Sequence, residues 1–114
     1  MTFSPPIAAF GLALVLAAGA LPALADGATQ VQLVLKDHKF DPTELTVAAG
    51  KAAELTLVNQ DPTPAEFESK ELRVEKVVAG GGTIIVKLRP LKPGRYRFYD
   101  DYHEATTQGF VVAK

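Results

Sequence analysis

"LTVAAGKAAELTLVN" (Leu45–Asn59) reads as two strands joined by a turn. Leu45 and Val47 point one way, Gly50-Lys51 supplies the turn, and Ala53, Leu55 and Leu57 resume the alternation towards Asn59. A period of two is what a strand with one buried face requires, because successive side chains leave opposite faces of the backbone. The same period continues on both sides. Val31, Leu33 and Leu35 alternate upstream. Downstream, Val74 to Val78 give a short strand broken by Gly80-Gly81-Gly82, and Ile84, Val86 and Leu88 give the next. Pro90, Pro93 and Gly94 then turn the chain, Tyr96 and Phe98 alternate again, and Phe110 to Ala113 forms the last strand. Seven or so short strands, separated by Gly, Pro and Asp turns roughly every ten residues, predict an all-β sandwich. Pro42, Pro62 and Pro64 belong in loops or at strand starts, where no ladder N–H is needed.

The N-terminal stretch has a different character. Residues 1–25 of the 114 carry no charged side chain. Ile7 to Ala20 are apolar, and Pro22 and then Ala23-Leu24-Ala25 follow, a small-x-small pattern. This predicts a secretory signal peptide over 1–25 and a single domain over 26–114. The n-region lacks Lys and Arg, so a retained anchor is the competing reading. The apolar run is short for a bilayer span, however, and Gly11, Gly19 and Pro22 interrupt it. With no cysteine in the chain, a lipid-modified N-terminal Cys is excluded and no disulfide staples the small core. The formal net charge of -1, without a basic patch, argues against nucleic acid as a partner.

Acids and histidine concentrate in two segments, Asn59 to Ser69 and Asp100 to Glu104. If 65–69 is extended, Glu66 and Glu68 leave the same face and repel unless water or a cation stands between them. Asp101 and His103 share a parity in the second segment, although a loop can override it. Solvated acids protecting an edge strand are the plain alternative for both segments. His38, between Lys36-Asp37 and Lys39, reads as an ordinary surface residue, since two lysines oppose a cation. Tyr96, Tyr99 and Tyr102 read as core or rim aromatics. No cysteine nucleophile, Gly-x-Ser-x-Gly, His-Glu-x-x-His or phosphate-binding loop is present.

"LTVAAGKAAELTLVNQD" (Leu45–Asp61) and "LKPGRYRFYDDYHEATTQGFVV" (Leu91–Val112) resemble the strand-turn-strand and the C-terminal ligand loop of cupredoxins. Pro93-Gly94, Tyr96, Phe98, His103 and Gly109 match that loop in place. The resemblance, covering about residues 30–113, implies a Greek-key β-sandwich. Asp100 stands at the thiolate position, Ala65 at that of the upstream histidine, and Thr106 or Thr107 near that of the axial methionine. A blue type 1 copper site needs two His and a Cys, so it is excluded.

"EFES" with "YHE", and "VEKVVAGGG" between them, resembles the small periplasmic cupredoxin-like proteins of bacterial iron-uptake operons. That resemblance implies a periplasmic protein binding iron and/or copper for iron uptake, with a possible role in Fe(II) oxidation before permeation. Its implied partners are a periplasmic iron-binding protein and an inner-membrane iron permease, so membrane contact comes only through the transporter. The implied metal ligands are Glu66, Glu68, Asp101 and His103, with Glu75, Asp100 and Glu104 as supplementary candidates. A metal-free module docking on a transporter and a copper-dependent ferroxidase are the rival expectations.

Overall fold

The structure, a computed structural model, describes residues 28–114; the predicted signal peptide lies outside the described residues. Nine strands follow one another: β1 (Thr29–Lys36), β2 (Lys39–Asp41), β3 (Glu44–Val47), β4 (Ala53–Asn59), β5 (Ala65–Ser69), β6 (Val74–Val78), β7 (Thr83–Leu88), β8 (Gly94–Asp100) and β9 (Gln108–Ala113). They form a four-stranded sheet, β2-β1-β4-β7, and a five-stranded sheet, β3-β9-β8-β5-β6. The chain is an all-β sandwich, as the period-two pattern predicts.

The alternation read from the sequence decides what is inside. Leu33, Leu35, Leu55, Leu57 and Val86 from the first sheet, and Phe67, Val78, Phe98 and Val111 from the second, are almost wholly buried between the sheets. Phe67 and Phe98 stack at 5.1 Å, and Phe40 meets Phe98 edge-on at 5.2 Å, in the offset geometries that aromatic quadrupoles favour.

Two strands escape the pattern. In β2 only Phe40 is buried, so there is too little length for a period to show. β5 turns Ala65, Phe67 and Ser69 inward and Glu66 and Glu68 outward, a register that a small residue and a serine disguise.

Strand direction gathers the chemistry at one end. β1 and β4 run parallel and in register, so both finish at the end where β5 starts and β8 finishes. Asp37 and His38 there join β1 to β2 in a two-residue turn, with φ of 52° and 57°. Such turns ordinarily use Asn-Gly or Asp-Gly, because both central residues are left-handed. Asp61, from the loop after β4, compensates: its carboxylate accepts the N–H of Asp37 at 2.6 Å and of His38 at 2.9 Å. Buried Asn59 sets that loop by donating to the carbonyls of Thr63 and Ala79 and accepting from the Asp61 N–H. Gly80 packs so closely that a Cβ there would stand 2.1 Å from the Pro62 carbonyl oxygen.

Candidate metal centre

β8 ends at Asp100, and Asp101–His103 form a single helical turn, so the parity expected of an extended Asp101 and His103 does not apply. The loop is closed by the Asp100 N–H donating to Thr107 O at 3.0 Å and the Thr107 N–H donating to His103 O at 3.0 Å. Asp100 is 1% exposed and its oxygens are committed. Oδ1 accepts the N–H of Glu66 and the N–H of Tyr102, each at 3.0 Å, and Oδ2 lies 3.3 Å from His103 Nδ1. The residue at the thiolate position therefore ties β5 to the loop and orients the imidazole.

On the outer face, Glu66, Glu68 and Asp101 each bring a carboxylate oxygen to within 4.8 Å of the others. β5 supplies the first two, two residues apart on one face, and the start of the helical turn supplies the third. Glu75 stands directly across the ladder from Glu68. Desolvation raises the Glu66 pKa, and the charges of Glu75, Asp101 and Glu68, with a hydrogen bond to Asp101, push it further the same way. Tyr99 donates its hydroxyl to Glu68 at 3.2 Å, and Arg97 lies over its ring at 4.5 Å. Burial raises the Tyr99 pKa, as do its hydrogen bond to Glu68 and the nearby carboxylates. Arg97 also pairs with Glu104, which turns that acid away from the cluster.

His103 is not part of the carboxylate group. Its ring lies against His38, with centroids 4.2 Å apart and planes at 37°. His38, read from the sequence as an ordinary surface residue, is thus the residue that reasoning along the chain missed. Its place follows from the two-residue hairpin turn and from Asp61, 23 residues away. Asp61 Oδ2 lies 3.8 Å from His38 Nδ1. Burial pushes the Asp61 carboxyl up, but the two backbone N–H groups and the nearby imidazoles outweigh it and hold the pKa below the usual value. Thr107, one of the two threonines near the methionine position, is buried and donates its hydroxyl to His38 O at 2.6 Å. Ala65, at the upstream histidine position, is buried in the core.

The profile of the cupredoxin-like domain matches residues 7–113. The chain belongs to the cupredoxin-like domain family. A protein of Rickettsia prowazekii (strain Madrid E), RP394, is 40% identical over 87 residues, 76% of this chain and 70% of the relative. The metal-binding domain of the Cu(I)-exporting P-type ATPase CopA of Streptococcus pneumoniae D39, solved with Cu(I), superposes with a TM-score of 0.67. It has 17% identity, over 81% of this chain and 91% of that one. Auracyanin A of Chloroflexus aurantiacus, a "blue" copper protein, superposes with a TM-score of 0.65 at 17% identity, over 77% of this chain and all (100%) of that one. At these identities the two structures establish the fold.

This cupredoxin-like chain has no cysteine, so the two-His, one-Cys trigonal centre cannot form. The donors that the fold does assemble are carboxylates on one side of the helical turn and imidazoles on the other. Oxygen donors suit hard cations, and a bound cation relieves the carboxylate repulsion that adds to desolvation in raising the Glu66 pKa.

Proposed function

We propose that this cupredoxin-like protein binds metal in the periplasm, iron and/or copper, in the service of iron uptake. The observation that carries the reading is the convergence of Glu66, Glu68 and Asp101 within 4.8 Å. Support comes from the similar folds of the CopA domain, solved with Cu(I), and of auracyanin A, a "blue" copper protein. Further support is the sequence resemblance to the cupredoxin-like proteins of iron-uptake operons. A periplasmic iron-binding protein and an iron permease are the partners this reading implies.

Glu66, Glu68 and Asp101 would hold the ion, with Glu75 close enough in the ladder to add charge. Tyr99 fixes one oxygen of Glu68 by donating to it, and Asp100 fixes the Glu66 backbone. Both acids therefore present their carboxylates from a held frame. Half-burial of Glu66 and Glu68 reduces the competition from water, while exposed Asp101 leaves a side open for loading and release.

The test is calorimetric titration of the full chain with Fe(II), Fe(III) and Cu(II), with thermal melts beside it. A ligand present at one hundred times its Kd stabilises the native state by about 2.7 kcal/mol. Iron binding that disappears in Glu66→Gln/Glu68→Gln supports the reading. Melts unmoved by any of the three metals would favour a metal-free docking module instead.

A further inference from the structure

We infer that His38 and His103 form a second cation site, separate from the carboxylates, that takes a borderline divalent ion, Cu(II) foremost. The two rings come from different sheets and different loops, yet their centroids lie 4.2 Å apart with planes tilted at 37°. In each ring Nδ1 faces a buried carboxylate: Asp61, 7% exposed, for His38, and Asp100, 1% exposed, for His103. Carboxylate behind imidazole is the arrangement that fixes the orientation of a metal-binding histidine and raises its basicity. Each ring's Nε2 is left on the side away from its carboxylate, with no hydrogen-bond partner among the described residues. The side chains are 47% and 40% exposed, so an ion can reach them.

Scale agrees with this assignment. Two nitrogens bound at about 2.0 Å to one ion stand about 2.8 Å apart at a right angle and about 4 Å apart in line. The 4.2 Å between ring centroids, with planes at 37°, matches the scale of two imidazoles bound at a right angle rather than in line. Charge agrees as well, because Asp61 and Asp100 place two carboxylates beside the imidazoles and a dication balances them. Lys36 and Lys39 flank the turn but are exposed, where solvent and salt screen their repulsion. Imidazole donors suit copper and zinc, and the divalent series places Cu(II) at the top. The His38 backbone is held in place, since its N–H donates to Asp61 and its carbonyl accepts from Thr107.

Titration of the full chain with glycine-buffered Cu(II), followed by electron paramagnetic resonance, tests the assignment. One tight equivalent showing hyperfine coupling to two imidazole nitrogens is the expected result. His38→Asn, a residue that tolerates the left-handed turn, should weaken Cu(II) at least about tenfold and leave one coupled nitrogen. His103→Gln should do the same. In Glu66→Gln/Glu68→Gln the Cu(II) signal should be unchanged, which separates this site from the one proposed for iron. Oxygen-only coordination in the wild type, unchanged affinity in His38→Asn, or loss of copper with the glutamates would each overturn it.

Discussion

Replacing Asp61 by Ala should cost this small domain much of its stability, although Asp61 lies outside the hydrophobic core. The carboxylate accepts two backbone N–H groups, at 2.6 and 2.9 Å, in a turn whose two residues are both left-handed. A hydrogen bond to a charged group contributes about 1.5–3 kcal/mol, so the pair gives an upper range of about 3–6 kcal/mol. The turn is partly exposed, and water can replace some of that, which leaves about 2–4 kcal/mol. A domain of this length has about 5–10 kcal/mol in total. The corresponding fall in melting temperature is about 10–25 °C. Urea unfolding of the wild type, Asp61→Ala and Asp61→Asn at neutral pH measures it, with Asn intermediate because it keeps one acceptor oxygen. The pH dependence provides a second check. A carboxyl held below its unfolded value of 3.8 adds stability that is fully present above that pH and is lost as pH falls through the folded value. The gap between wild type and Asp61→Ala should therefore close in acid. A gap under about 0.5 kcal/mol at neutral pH, no more than an ordinary surface change, would refute the argument.

Glu66→Gln should act in the opposite direction on the metal-free protein. An acid whose folded pKa is raised contributes most below its unfolded value and loses that contribution as pH rises through the folded one. The mutant should thus melt higher than wild type at neutral pH, equal it in acid, and bind iron poorly. Gly80→Ala places a methyl against the Pro62 carbonyl and must displace the loop that carries Asp61, costing about 1–3 kcal/mol by chemical denaturation. Thr107→Val keeps shape but removes the donor to His38 O, and should cost about 1 kcal/mol while loosening the contact of His38 with His103 seen by nuclear Overhauser effects.

How much of this was legible along the chain depended on side-chain size and on separation. Leu33, Leu55, Leu57, Val86 and Phe98 announced their strands because large apolar residues alternate with polar ones. β5 did not, since its inward residues include Ala65 and Ser69, and its strand character was only a condition on the Glu66–Glu68 argument. Glu66, Glu68 and Asp101 come together as the family resemblance implied. His103 departs from them because the helical turn after Asp100 rotates it towards β1–β2. The signal for His38 was present in its position between Leu35 and Phe40, where a two-residue hairpin leaves no other place for it. Its contact with the C-terminal loop needed the parallel pairing of β1 with β4, which no local pattern encodes.

The same strand directions also orient the domain in space. β1 begins beside Ala52, and β9 ends beside Val47 and Ala49, at the end remote from the carboxylates and imidazoles. The chain therefore enters and leaves this domain through one pole and displays its polar side chains at the other. A tether at either end, to a neighbouring domain, a surface or a purification tag, would leave the displaying pole facing outward and unobstructed.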